Sequence, residues 1–108
     1  MINLNAWGKT HPIEFVFDQY VDNGNLYVGM MTTEDGYPEP WSSLTVNLGV
    51  KCADNCAFID TNNNGVEILD WLLKNNLGKL TGREMPSGWC RFLEFEFNME
   101  ELRKHEVQ

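Results

Sequence analysis

Residues 13–31 read Ile13-Glu14-Phe15-Val16-Phe17-Asp18-Gln19-Tyr20-Val21-Asp22-Asn23-Gly24-Asn25-Leu26-Tyr27-Val28-Gly29-Met30-Met31, and the fold is decided here. Ile13, Phe15 and Phe17 recur at every second position, which puts them on one face of a half-buried strand and Glu14 and Asp18 on the other. The strand is expected to run on to Val21. Asp22-Asn23-Gly24-Asn25 supplies turn residues, with Asn-Gly suited to positive φ, and Leu26 to Met31 resumes extended character. The first element is therefore a β-hairpin.

Toward the C-terminus, Glu34 to Pro40 holds two prolines that lack amide donors, so this stretch makes a connection and Trp41 to Leu48 returns as a third strand. Cys56-Ala57-Phe58-Ile59 reads as a short buried strand. Asn64 followed by Glu67 resembles a capping box that opens a main helix over residues 64–76, with Gly78 as its stop. Val66, Ile68, Leu69, Leu72 and Leu73 cover one arc of that helix, opposite Glu67, Asp70 and Lys74. Leu69, Leu72 and Leu73 are expected to pack on Phe15, Phe17, Phe95 or Phe97. The breaker-rich run Thr81 to Trp89 reads as a surface excursion. Arg91 to Phe97 is a closing strand with Phe95 and Phe97 inward and Glu94 and Glu96 toward solvent. Asn98 caps a last helical turn or two between Met99 and His105, with Glu100 and Glu101 near its positive end. The expected fold class is α+β, a single domain over 1–108 built as an antiparallel meander sheet with one main helix packed across one face.

The 108 residues suffice for one hydrophobic core, and 43% hydrophobic residues oppose a disordered chain. No apolar run approaches the roughly 18 residues that span a bilayer, and no basic region precedes an apolar one at the start. Three cysteines, Cys52, Cys56 and Cys90, cannot close a disulfide framework in pairs. Reduced thiols and a cytoplasmic location are the expectation. Sixteen Asp and Glu against eight Lys and Arg leave a net charge of −8, which opposes direct binding to nucleic acid or anionic membranes. Between Lys9 and Lys51 there is no Lys or Arg, while Glu14, Asp18, Asp22, Glu34, Asp35 and Glu39 are all negative. Such a half-chain suits a basic protein partner, or serves as a solvated surface.

Several patterns bear on chemistry. Asp60-x-Asn62-x-Asn64-Gly65 matches the first half of an EF-hand calcium loop, in which oxygen ligands alternate before a sharp glycine turn. The twelfth position, which should be a bidentate Glu, is Trp71. Asp60, Asn62 and Asn64 are therefore calcium candidates whose competing role is to turn the chain and cap the helix. Cys52-x3-Cys56 with Cys90 and His11 or His105 could complete a zinc site or supply a nucleophilic thiol, although paired Cys-x2-Cys motifs are absent. No Gly-rich phosphate loop, Gly-x-Ser-x-Gly or His-Glu-x-x-His occurs. No cofactor is expected. Of the tryptophans Trp7, Trp41, Trp71 and Trp89, most should pack in the core, and Trp89, ending the Gly, Pro and Ser-rich run, reads as a contact residue.

Four segments resemble the short bacterial proteins of domain-of-unknown-function family 4313: Asp22-Asn23-Gly24-Asn25-Leu26, Leu44-Thr45-Val46-Asn47-Leu48, Asn55-Cys56-Ala57-Phe58-Ile59-Asp60-Thr61-Asn62 and Leu77-Gly78-Lys79-Leu80-Thr81-Gly82-Arg83. The resemblance implies proteins of gut-type bacteria, often associated with mobile elements, and brings no established activity or catalytic residues. The functional expectation is a non-catalytic accessory protein that binds another macromolecule through an acidic patch of Glu14, Asp18, Glu94 and Glu96, with Trp89 as a further contact. Its target would be a basic protein, such as one whose nucleic-acid-binding surface it inhibits. The alternative is a small metal-binding or thiol-dependent enzyme domain.

Overall fold

The alternation across residues 13–17 places a strand at the centre of a sheet. In the computed structural model, which describes residues 1–6, 8–34 and 36–107, β1 (Ile2–Ala6), β2 (Lys9–Gln19), β3 (Leu26–Thr32) and β4 (Glu39–Ser43) form an antiparallel meander in that spatial order. Phe15 faces Met30 and Phe17 faces Val28 across β2 and β3, and Ile13, Phe15, Val28 and Met30 are buried. The hairpin turn closes where expected, with Gly24 at a φ of +74° and Tyr20 exchanging backbone hydrogen bonds with Gly24 and Asn25, each 2.8 Å. β2 ends at Gln19, two residues short of the expected Val21, which is fully exposed in the turn.

β1, unforeseen in the sequence, pairs with β2 from Ile2 opposite Ile13 to Ala6 opposite Lys9. Beyond Ile13 the same edge of β2 is taken by the C-terminal segment. The Phe15 amide donates to the His105 carbonyl and the Val107 amide to the Phe15 carbonyl, both at 2.9 Å.

The expected third strand, Trp41 to Leu48, divides at Leu44 between two sheets. The Leu44 amide donates to the Val28 carbonyl of the first sheet, and its carbonyl accepts from the Asp60 amide, both at 2.9 Å. Thr45 begins β5 (Thr45–Val46), and with β6 (Cys56–Ile59), β7 (Gly78–Ser87) and β8 (Cys90–Phe97) it forms a second antiparallel sheet in the order β5-β6-β8-β7.

All four residues of β6 are buried, so both faces of this sheet are covered at that strand. Ala57 and Ile59 join Phe95 and Phe97 of β8 in the main core with Ile13, Phe15, Val28 and Met30 of the first sheet. Cys56 and Phe58 point the other way, into a second cluster with Phe92 and Cys52 that Val46, Leu48 and Val50 help to cover. The strap of residues 47–52 therefore crosses the outer face. Buried Asn25 fastens it, its side chain donating to the Val50 carbonyl at 2.8 Å and accepting from the Cys52 amide at 2.9 Å.

The helical elements differ from the expected single helix over 64–76. Among the described residues there are three short pieces, α1 (Thr61–Asn64), α2 (Glu67–Lys74) and α3 (Met99–Arg103). Asp60, not Asn64, makes the cap, accepting from the Asn63 amide at 3.1 Å, and Gly65 at a φ of +80° separates α1 from α2. The Asn64/Glu67 capping box does not form, because Val66 holds the N-cap position of α2. α2 ends in a Schellman motif in which Asn76, at a φ of +59°, takes the left-handed position usually given to glycine. The Leu77 amide donates to the Leu72 carbonyl at 3.0 Å and the Asn76 amide to the Leu73 carbonyl at 3.1 Å, while buried Leu72 and Leu77 share the main core. Gly78, expected as the helix stop, instead opens β7, where a Cβ would lie 2.1 Å from the Glu96 carbonyl oxygen. Asn98 caps α3 as expected, accepting from the Glu101 amide at 3.3 Å.

The run Thr81 to Ser87, read as a surface excursion, is most of an edge strand. It tolerates its breakers because Thr81, Gly82 and Arg83 form a bulge opposite the single residue Glu94, and because Pro86 lies on an edge. No helix among the described residues is long and apolar enough to cross a membrane.

Of the α2 residues expected inward, Leu72 is fully buried and Leu69 half-buried, but Leu73 is 43% exposed; Ile68 completes the inner face. Leu72→Ala should cost about 2–5 kcal/mol. Leu73→Ala should stay within about 0.5 kcal/mol. Urea unfolding of both variants checks the helix face, and equal losses would show it to be wrongly placed.

A second expectation concerns pH. Burial lowers the His105 pKa below the ordinary histidine value, against an opposing pull from Glu101. The unfolded chain then binds the proton more readily, so this contribution to stability is present above the ordinary histidine pKa and is lost as pH falls through it toward the folded value. The urea midpoint should fall between pH 7.5 and 5.5, and His105→Gln should flatten that part of the profile.

Candidate functional site

The period-two pattern of β8 sends Phe95 and Phe97 to one face and Phe92, Glu94 and Glu96 to the other. The strap and β7 cover that second face around Glu94, which is only 6% exposed, and this corrects its expected place on a solvent face. A buried carboxylate requires partners. The bulge of β7 provides them, because three residues opposite one let two side chains turn toward the same point. Thr81 donates its hydroxyl to Glu94 at 2.7 Å, and Arg83 approaches its other oxygen at 3.4 Å while lying over the Phe58 ring, 5.5 Å from the centroid. Glu96 is half-buried and meets Lys79 at 3.4 Å.

Glu14 and Asp18 lie on the outward side of β2, in the first sheet. The four carboxylates expected to form one patch are therefore divided between two sheets, with Glu94 enclosed. Trp89 is 104% exposed at the two-residue β7–β8 turn, where Gly88 at +61° has the positive φ that the first central position of a type II′ turn takes. Trp7 lies outside the described residues.

Asp60, Asn62 and Asn64 each have hydrogen-bond partners of their own. Asp60 is engaged by the Asn63 amide and, at 2.8 Å, by the Asn63 side chain; Asn64 donates its side-chain amide to the Ser43 and Asp60 carbonyls, each at 2.9 Å; Asn62 accepts from the Cys90 thiol at 3.5 Å. The bonds of Asp60, and that of Asn64 to the Asp60 carbonyl, are turn and cap roles; those of Asn62 to Cys90 and of Asn64 to Ser43 tie α1 to β8 and β4. Cys52 and Cys56 sit in the second cluster, Cys90 near Asn62, His11 on the first sheet and His105 in the C-terminal segment. No three His, Cys, Asp or Glu side chains gather as a metal site among the described residues.

All three thiols are free. Burial, with Glu94 beside it, pushes the Cys52 thiol up to about 11, and burial raises Cys56 in the same direction. Both are thus the opposite of an activated nucleophile at neutral pH.

A groove of about 750 Å³ lies between the α1–α2 region and the β1 and β4 strands of the first sheet, and sequence reasoning missed it. Its walls are Trp41 of β4 and Trp71 of α2, with Leu4 and Ile68 among the apolar lining and Glu67, Asp70 and Lys74 as charged groups. Ile68 and Leu72 turn α2 toward the core, which leaves Glu67, Asp70, Trp71 and Lys74, spaced i, i+3, i+4 and i+7, along an adjacent stripe. That spacing was the signal in the sequence. Trp71 is held by donating its indole N–H to the Asn3 carbonyl at 2.7 Å and by packing near Phe15, with ring centroids 6.2 Å apart. Trp41 stacks on buried His11 at 4.4 Å between centroids, and His11 is in turn held by Glu34 and by the Ala6 carbonyl at 3.3 Å. Both indoles are therefore fixed before anything enters the groove.

These features define a small α+β fold of two antiparallel sheets, with an indole-walled groove and, among the described residues, two buried carboxylates, Asp60 and Glu94. The chain belongs to the family described as Domain of unknown function (DUF4313), whose model matches residues 15–108, nearly the whole sequence. No curated protein and no solved structure matches the chain.

Thiol chemistry gives a direct check. In native protein near pH 8 an aromatic disulfide reagent should modify half-buried Cys90 first, while Cys52 and Cys56 react slowly until denaturant is added. Fast native reaction of Cys52 would contradict its burial under the strap and favour an activated thiol.

Proposed function

We propose that the protein is a non-catalytic binding module that engages a basic protein in the cytoplasm through the acidic first-sheet side, and that it inhibits a target whose surface ordinarily holds nucleic acid. The distribution of cations carries this reading. All five Lys and Arg after residue 78, namely Lys79, Arg83, Arg91, Arg103 and Lys104, are ion-paired to carboxylates. Residues 1–78 hold ten Asp and Glu against three Lys. Glu14, Asp18 and Asp22 join no ion pair among the described residues, so the net negative charge is concentrated away from the second sheet.

The outer face of β2 and β3 suits such a contact. Half-buried Val16, Tyr27 and Met31 share that face, Met31 opposite Glu14 and Tyr27 opposite Asp18, and the side chains of Tyr27 and Val16 cover buried Gly29 between them. An apolar centre with carboxylates around it supplies burial, while the negative field steers a basic surface and repels phosphate. Trp89 adds an exposed indole at the far tip of the β7–β8 hairpin. The raised Cys52 and Cys56 pKa values give less support to the thiol-enzyme alternative.

The test begins with affinity capture from the source cells and continues with stopped-flow association of the recovered partner. Glu14→Lys with Asp18→Lys should slow association about tenfold at low salt and flatten its salt dependence, as loss of steering requires. Unchanged rates would overturn the proposal. Stoichiometric calcium or zinc in protein purified without tags or chelators would instead favour the metal-binding alternative.

A further inference from the structure

The groove between Trp41 and Trp71 lies away from the outer face of β2 and β3, and its lining has its own chemistry. Its two indoles are rigidly held, and among the charged groups that line it two are carboxylates, Glu67 and Asp70, against one ammonium, Lys74. An indole face attracts a cation through its quadrupole, most strongly where surrounding apolar groups reduce hydration, and a planar guanidinium both stacks on the ring and pairs with a carboxylate. A phosphate-bearing or carboxylate ligand would meet the opposite field. An uncharged apolar ligand would leave the two carboxylates unused. From this charge complementarity we infer that the groove receives an arginine side chain from a basic segment of the bound protein, its guanidinium against the indole walls and paired with Asp70 or Glu67.

This inference rests on the proposed binding of a basic protein and names a residue that such a partner must present. It assigns the two halves of the surface different tasks. The carboxylates on the first sheet draw the partner in and set the association rate; the groove holds one side chain in a defined place and sets the dissociation rate. Neutralising the groove carboxylates leaves the fold in place, because Glu67 and Asp70 are exposed and neither takes part in an ion pair among the described residues.

The probe is N-acetyl-arginine amide, titrated into the whole protein while the indole N–H signals are followed by two-dimensional NMR, with the lysine and glutamine amides as controls. The arginine probe should shift the Trp41 and Trp71 signals saturably, the lysine probe at least threefold more weakly, and the glutamine probe should not shift them. Glu67→Gln with Asp70→Asn should weaken arginine binding at least fivefold, and so should Trp41→Leu. Equal shifts with arginine and glutamine, shifts confined to Trp89, or arginine binding indifferent to the carboxylate changes would each overturn the inference. If Trp41→Leu leaves partner dissociation unchanged while Glu14→Lys with Asp18→Lys slows association, the groove assignment fails and the binding proposal stands. If the arginine probe binds as expected but those charge reversals leave association unchanged, the binding proposal fails and the groove remains a guanidinium site.

Discussion

Burial of both faces of β6 is the constraint on which the rest of the molecule depends. A strand whose four side chains are all enclosed needs a packed layer on each side. On one side the first sheet, α2 and α3 provide it. On the other, no third sheet packs among the described residues; the strap of residues 47–52 covers the face together with Arg83 and Met85 of β7, and a strap of irregular chain does so only if its own backbone polar groups are satisfied. Asn25 does this at two points, and Asn23 and Asn47 reinforce it side chain to side chain at 3.0 Å. The tight hairpin turn at residues 22–25 is thus also the anchor of the second cluster.

The same constraint explains the segments that carry the family resemblance. Asp22 to Leu26 forms the anchor, Leu44 and Thr45 mark the crossing between sheets, and Asn55 to Asn62 supplies β6 with the Asp60 cap. Leu77 to Arg83 supplies the Schellman end, the close approach at Gly78 and the bulge around Glu94. Each is accounted for by backbone geometry or by satisfaction of a buried group. Within such a scaffold, the groups with unspent binding capacity lie elsewhere, on the outer face of β2 and β3 and along the stripe of α2 beside Trp41. The functional proposals rest on those surfaces for that reason.

The Glu94–Arg83 contact has a structural meaning before any other. Removing Arg83 leaves the enclosed Glu94 carboxylate with Thr81 as its remaining side-chain partner, whereas the Arg83 side chain, 38% exposed, keeps access to water if Glu94 is removed. Its contribution is to specify how β7 docks on β8: a carboxylate at that place accepts only a bulge that brings both Thr81 and Arg83 toward it. A regular strand would also put both on one face, but two positions apart along it and not opposite a single residue.

The sequence by itself determined the elements whose signals are local. The β2–β3 hairpin, β6, β8 and the Asn98 cap all follow from period-two alternation or from the chemistry of one residue beside a helix end, and the α+β class follows from them. Period two also correctly set Glu94 opposite Phe95. It could not say that the opposite face was covered, because alternation distinguishes two sides of a strand without telling what lies on either. Tertiary structure alone decided that the strap crosses that face, that the chain changes sheets at Leu44, and that β1 and the C-terminal segment share an edge of β2. It also turned a breaker-rich run into β7, since a bulge on an edge strand accommodates Gly82 and Pro86 where a central strand would not. The groove has the same origin: Trp41 and Trp71 are thirty positions apart in the chain, and only the packing of α2 against the first sheet makes them two walls of one site.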